Sequence, residues 1–413
     1  MFDVFQRYFA ESDIASNFGV YSLTYTYISY VSKIFSDMKE IEDVVIVGGG
    51  PAGAYCAYKL AKNGISPVIF DDSHPREKPC GGGLSPLVLE KYPFIKNVPS
   101  SGIFSARFKI ISPSGKEAIA EGKRGSFNIS RLQLDKYILD MAIKNGARLV
   151  EERVIEVKAE KRLWILKTKK RRLKARIIIG ADGANSLVRN EILDPIPKKN
   201  LGICFGYYAS GMEKEDSIIK YLKENALYIW IFPREDHSSI GIGSELEHSE
   251  HLKEILDNFI STYCPHVKII SEFGAVIPVI TDPNFYKLPC AGENWILIGD
   301  AAGHVDPVTG EGILYAMWGG ELAADSIKNG NPKEFDILWR KEYGYDLLEG
   351  CKMRDTFYNS FMIELSVILA SRSKTFSQLL YDITTSEEEY KTFNWRMIRE
   401  FPIYLIEFIF NKK

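Results

Sequence analysis

Val44–Val47 is a short, unbroken apolar run, the pattern of a strand buried on both faces within a parallel sheet. Glycines follow it. "AGAYCAYKLAK" then carries an alanine-rich helical pattern to about Lys62, where Asn63–Gly64 stops it, and "SPVIF" supplies the next strand. Two later apolar runs end alike, at Asp182–Gly183 in "RIIIGADGANSLVR" and at Gly299–Asp300 in "NWILIGDAAGHVDPVTGEGI". Between these segments the pattern is mainly β. "ARFKIISPSGKEAIAEG" reads as a hairpin about Ser114–Gly115. "RLWILKTKKRRLKARIII" reads as another, and its cationic turn from Lys167 to Lys174 is read as a solvated tip in preference to a phosphate or acidic-lipid site.

"LGICFGYYASG", "SIIKYLK", "ALYIWIFPRE" and "SSIGIGSEL" predict successive strands of an antiparallel sheet, followed by a helix near His248–Tyr263. In "YIWIFP", Tyr228, Trp230 and Phe232 project from one face of a strand and Ile229 and Ile231 from the other. Periodicity leaves a two-sided core and the wall of an apolar pocket equally open. Residues 331–413 carry helical patterns, read as core packing for the longer part. The last dozen residues, with "FPIYLIEFIF" ending on Lys412–Lys413, read as a membrane-surface helix.

The chain has 413 residues, is 46% hydrophobic and carries a net charge of -2, so it is globular and no nucleic-acid partner is implied. Its six cysteines are scattered without zinc or secreted-disulfide spacing, and its six histidines include no HExxH, so no metal is expected. No charge-free apolar stretch reaches the roughly 18 residues of a transmembrane helix. A cytoplasmic protein with peripheral membrane association is expected. Residues 1–37 are aromatic and hydroxyl-rich without signal-peptide features, and read as an extension dispensable to the fold; the rival reading is a short membrane-surface or packing helix.

The candidate chemistry begins at Gly48, Gly50 and Gly53, a GxGxxG set between a strand and a helix. These glycines allow a tight turn and close backbone approach, and the helix N-terminus that follows stabilises a pyrophosphate. Asp71 lies about 20 residues on, where a carboxylate accepts hydrogen bonds from a ribose. A dinucleotide is the expected ligand.

The segments ending at Gly183 and Asp300 resemble the paired motifs of the flavoprotein hydroxylase and geranylgeranyl reductase superfamily, and "RLQLD" resembles its RxxLD helix start. The resemblance implies FAD on one Rossmann domain, with Gly299–Asp300 at the ribityl chain, Asp182–Gly183 at the pyrophosphate region and Arg131 near the cofactor. "GEGI", residues 310–313, starts a helix whose amides and dipole, at Gly312 and Ile313, suit the ring edge that gathers negative charge on reduction. Pro307 and Gly310 let the backbone lie close to a flat ring. No second GxGxxG appears, so electrons are expected from NADPH visiting the flavin or from reduced ferredoxin.

"KPCGGGLS" resembles the PCGGG segment of archaeal geranylgeranyl reductases, and "YIWIFP" their YxWxFP motif, so the resemblance covers roughly residues 38 to 330. It implies an α/β fold with α+β elements: a Rossmann-type FAD-binding domain (38–200 and 281–330), an inserted antiparallel-sheet substrate domain (201–280) and a helical C-terminal region (331–413). The implied activity is saturation of isolated C=C bonds in geranylgeranyl chains of archaeal ether-lipid precursors. Tyr228, Trp230, Phe232 and Pro233 are assigned to the isoprenoid pocket. Gly81, Gly82 and Gly83 would clear space beside the flavin, and Cys80 would stand at its reactive side as proton donor or gate, with a Cys80–Cys290 pairing also open. The alternative is a flavin-dependent monooxygenase or halogenase-like enzyme on the same scaffold; a flavin-stabilised lipid carrier without turnover is the other.

Overall fold

A computed structural model describes residues 41–99, 102–213, 216–223 and 226–411. The expectations for residues 1–37 and for Lys412–Lys413 fall outside them.

The first sheet has seven strands. β1 (Ile41–Val47) pairs in parallel with β2 (Val68–Phe70), and β2 with β6 (Arg148–Val150). On its other side β1 pairs in parallel with β9 (Arg172–Gly180). One edge of β9 serves two partners in turn. Its first half takes the antiparallel strand β8 (Leu163–Lys167), which continues to β7 (Glu156–Glu160), and its last residues take the parallel strand β15 (Trp295–Leu297). β15 thus returns to the sheet more than a hundred residues after β9, which makes the sheet discontinuous in sequence. Helices α1 (Pro51–Lys62) and α3 (Arg131–Lys144) belong to this layer.

The second sheet has eight strands in the order β14-β10-β13-β12-β11-β4-β5-β3. It contains β10 (Leu201–Ser210), β11 (Ser217–Tyr221), β12 (Ala226–Pro233), β13 (Ser238–Glu245) and β14 (Lys268–Pro278), and also β3 (Gly83–Leu84), β4 (Ile103–Ile111) and β5 (Glu117–Asn128). The division at 201–280 drawn from the sequence therefore leaves out three strands. The junction is β11 with β4, the sheet's one parallel pairing among the described residues. Parallel neighbours need no tight turn, so no local signal marks it. Space also reorders the expected succession, because β13 rather than β11 lies beside β10.

The alternation in β12 serves both readings at once. Ile229 and Ile231 are 1% exposed and join a core with Leu252 and Leu256 of α5 (Leu252–Tyr263). Full burial of each such side chain contributes about 1.5–3 kcal/mol. Tyr228, Trp230 and Phe232 face a cavity instead.

The remaining helices are α2 (Pro86–Lys91), α4 (Leu187–Ile192), α6 (Ile313–Lys328), α7 (Phe335–Trp339), α8 (Tyr345–Phe357), α9 (Ser360–Ala370), α10 (Lys374–Thr384) and α11 (Tyr390–Phe410). α6 packs on α1, so tightly that a Cβ at Gly320 would lie 2.6 Å from the Ala52 carbonyl. α9, α10 and α11 close the cavity against the second sheet.

Candidate active site

β1 ends at Val47, and α1 begins at Pro51 with Gly50 as its N-cap. No side chain caps this helix, and Pro51 has no N–H to satisfy, so the remaining first-turn donors are open to an anion. A Cβ at Gly53 would stand 2.0 Å from the Gly48 carbonyl, so only glycine permits this turn.

Asp71 supports the turn from within the protein. Its Oδ2 accepts from the Gly49 N–H at 2.7 Å and contacts His74 Nδ1 at 2.8 Å, while Oδ1 accepts from the Ser73 and His74 N–H groups. Burial opposes its charge, but His74 and these amides hold the Asp71 carboxyl well below the ordinary range. His74 Nε2 lies 3.4 Å from Asp135, whose carboxylate is chelated by Arg131 at 2.9 and 2.8 Å. The Arg131 guanidinium in turn stands beside the Cys80 thiol. One buried chain of charges thus links the glycine turn to the loop bearing Cys80.

Asp182 uses its carboxylate as a helix cap, accepting from the Ser186 hydroxyl and from the Leu187 N–H at 2.7 Å. The oxygens assigned to the pyrophosphate region are thereby engaged at α4, and Gly183 beside it faces open space at φ +85°. Asp300, in the short turn Gly299–Ala301, lies 3.6 Å from Lys78, which brings the ribityl candidate close to the Cys80 loop. Gly312 caps the 16-residue α6 without any side-chain cap, so a second bare helix N-terminus points into the site.

Residues 306–311 form a closed loop before α6. Asp306 N–H donates to the Glu311 carbonyl at 2.9 Å, and Gly310 N–H to the Asp306 carbonyl at 3.0 Å. Three tyrosines from three elements staple it: Tyr228 donates to the Thr309 carbonyl at 2.6 Å, Tyr358 to the Val308 carbonyl, and Tyr390 to the Asp306 carboxylate at 2.8 Å.

The Cys80–Gly83 loop is held from the second sheet. Arg234, 2% exposed, donates to the carbonyls of Cys80 and Gly81 at 3.0 and 3.1 Å and to Glu77 at 2.7 Å. Burial would raise the Glu77 carboxyl, but Arg234 keeps it below its usual range. Trp230 donates to the Ser239 hydroxyl, which donates to the Cys80 carbonyl, both at 3.1 Å. A Cβ at Gly81 would lie 2.7 Å from the Phe232 ring, so the loop rests directly on that aromatic face. Gly82 has φ +73° and donates to Cys80 Sγ at 3.3 Å.

Together these parts enclose a cavity of about 760 Å³, within the roughly 300–1,000 Å³ of ordinary ligand sites. Its lining is predominantly apolar: Cys80, the three glycines, Tyr228, Trp230 and Phe232 meet Pro307, Gly310, Gly312 and Ile313 there. Helices α8 to α11 add the far wall, a role beyond the core packing expected for the longer part of residues 331–413.

Two expectations are corrected. Pro233 is absent from the cavity wall, because the two-residue period puts it on the face of Ile229 and Ile231. Cys80 and Cys290 are both free thiols; Cys290 is buried beside β15 with its Sγ 3.6 Å from His304 Nε2. Arg234, Glu77, Ser239 and Glu311 were missed as site residues. The available signals were an arginine directly after the aromatic strand and a carboxylate flanked by two glycines at the start of an apolar helix.

Residues 42–210 match the family model of the pyridine nucleotide-disulphide oxidoreductases. Geranylgeranyl diphosphate reductase of Rhodobacter capsulatus is 28% identical, across 87% of this chain and 94% of that protein. Digeranylgeranylglycerophospholipid reductase of Methanococcus vannielii is 29% identical, across 80% and 88%. The chain is thus similar to geranylgeranyl reductases along most of its length. The fold agrees: a geranylgeranyl bacteriochlorophyll reductase-like protein from Thermoplasma acidophilum superposes with a TM-score of 0.74 at 22% identity, covering 88% of this chain and 99% of that one. Flavin-dependent halogenases share the fold as well, so fold alone does not choose the reaction.

FAD is the cofactor that the residues fit. Two uncapped helix N-termini and a turn too tight for any Cβ suit a pyrophosphate and an electron-rich ring edge.

Proposed function

We propose that the protein is an FAD-dependent reductase that saturates isolated C=C bonds of geranylgeranyl chains in ether-lipid precursors such as digeranylgeranylglycerophospholipids. The observation carrying this reading is the joining of an aromatic, apolar cavity to the Cys80–Gly83 loop and the α6 N-terminus. The names of the relatives point to the same substrate class.

An isolated alkene is a poor hydride acceptor, because no carbonyl withdraws charge from it. Bound FAD, once reduced, supplies the hydride. The chain's own residues do the rest. Trp230 and Phe232 present ring faces that favour positive charge building on a tertiary carbon. The apolar walls exclude water, which would otherwise trap that carbon. Gly81 and Gly83 let the loop pack flat against Phe232, so that loop and ring form one wall along which a long chain lies, and Cys80 gates the approach. Electrons enter from NADPH or from reduced ferredoxin.

Among the described residues no helix is long and apolar enough to cross a membrane. We assign peripheral membrane contact to the faces of α9 and α11. Met362 and Ile398 line the cavity and are also exposed, at 38% and 77%, so the cavity reaches the surface at these helices, which also expose Phe361, Phe401, Ile409 and Phe410. A substrate with two long chains could pass from a leaflet to the cavity without crossing water.

The reading is tested by incubating the holoenzyme with digeranylgeranylglyceryl phosphate and either NADPH or reduced ferredoxin, then weighing the extracted lipid. Mass gains in steps of two hydrogens are expected. An oxygenated or halogenated product formed only in air would replace the reading with the monooxygenase alternative.

A further inference from the structure

Alkene saturation needs a proton as well as a hydride, and the cavity offers few groups to give one. Two carboxyl groups line it among the described residues, Asp306 and Glu311. Asp306 is fully engaged: it accepts from the Val308 and Thr309 N–H groups, each at 2.8 Å, and from the Tyr390 hydroxyl. Tyr228 and Tyr358 commit their hydroxyl protons to backbone carbonyls. Glu311 differs. Its Oε1 accepts from the Ser85 N–H at 3.2 Å, but its Oε2 is sealed from solvent and has no hydrogen-bond partner. The hydroxyls of Ser85 and Ser386, buried with no other partner, stand beside this carboxyl as the groups placed to hydrogen-bond it. Three buried polar groups therefore meet at one point of a mainly apolar wall, where Ser85 follows the Cys80 loop and Glu311 precedes the Gly312 cap of α6.

We propose that Glu311, which lines the cavity, is the catalytic acid of the reaction, holding a proton on its carboxyl and delivering it to one carbon of the substrate alkene. This rests on the reductase reading above. The O–H bond of the carboxyl breaks as the π pair forms a C–H bond. The other carbon, left electron-poor, accepts a hydride from the reduced flavin, and the carboxylate regains its proton from solvent that enters the cavity once the product has left. Burial, reinforced by the neighbouring Asp306, pushes the Glu311 carboxyl up to about 7, so the group keeps its proton under conditions where an exposed glutamate would lose it. The ionisable groups facing it are Asp306 from its own loop and Tyr315 from α6; the segments carrying Ser85 and Ser386 present hydroxyls.

The test compares the wild-type holoenzyme with Glu311→Gln and Glu311→Asp in anaerobic single turnovers on digeranylgeranylglyceryl phosphate. An infrared titration of the carboxyl C=O band runs in parallel on enzyme without substrate. Glu311→Gln is expected to retain flavin and bind the lipid but to saturate it roughly 100-fold or more slowly, with Glu311→Asp recovering part of the loss. The wild-type rate is expected to fall as pH rises through neutrality, together with loss of a protonated-carboxyl band that the Gln variant lacks. Wild-type saturation with an equally active Glu311→Gln overturns the acid role alone, as does a Glu311 band that titrates in the ordinary glutamate range. A wild type that leaves the lipid unchanged while its flavin is reduced overturns the reductase reading and this inference with it.

Discussion

Cys80 and Glu311 face the same cavity with different equipment. The thiol is tied to the Gly82 N–H and stands beside Arg131, whereas Glu311 keeps an oxygen unpartnered. Cys80→Ser is therefore expected to alter the visible spectrum of the bound flavin while slowing lipid saturation less than tenfold, far less than Glu311→Gln. Absorbance spectra and single-turnover rates on the two variants check this ordering. A Cys80→Ser enzyme as slow as Glu311→Gln would return the proton to the thiol. A second residue-scale expectation concerns His74. Burial alone would lower its pKa, but Asp135 and Asp71 together hold it above the ordinary value. A raised folded pKa contributes stability that is full below the unfolded value near 6.5 and is lost as pH rises through the folded one. The wild-type unfolding midpoint is accordingly expected to fall on the alkaline side of neutrality, and this dependence is expected to flatten in His74→Gln. Denaturant midpoints across pH 5–9 measure it, and an unchanged alkaline slope in the variant would count against the buried charge chain.

At the scale of elements, local pattern carried much of the architecture. The strand–glycine–helix unit at Val44–Lys62 and the hairpins about Ser114 and Thr168 needed only neighbours in sequence. Long-range pairing left no such trace: β4 lies beside β11, and β15 beside β9, through contacts that no short motif encodes. The two-sided use of β12 was likewise legible as alternation, but which face met a cavity depended on where α5 and the C-terminal helices packed. α11 shows the same limit. Tyr390 and Tyr404 bury into the protein, while Trp395, Ile398, Phe401, Ile406, Ile409 and Phe410 stay exposed, so the apolar surface begins earlier than the last dozen residues. Phe401→Glu combined with Phe410→Glu, both outside the cavity lining, is expected to abolish co-flotation with phosphatidylglycerol-containing vesicles and to spare turnover of detergent-dispersed substrate. Flotation equal to the wild type would remove the membrane assignment from this face.

For the whole molecule, the candidate site exists only where three separate regions converge. The glycine turn and α6 come from the first sheet's layer, the Cys80 loop is held by Arg234 and Ser239 of the second sheet, and the far wall is helical. Short motifs made the cofactor side readable, because a nucleotide turn constrains spacing strictly. The catalytic side was less readable, since burial decides what a carboxylate such as Glu311 can do, and burial is a property of the assembled chain. The central claim is that reducing equivalents pass from the flavin to an isolated alkene. Its most direct test is to reduce the bound flavin anaerobically with dithionite, add digeranylgeranylglyceryl phosphate, and follow flavin reoxidation alongside the lipid mass. Reoxidation matched by gains of two hydrogens per flavin is the expected result. Flavin that stays reduced beside unchanged lipid, and reoxidises only when air is admitted, would contradict it.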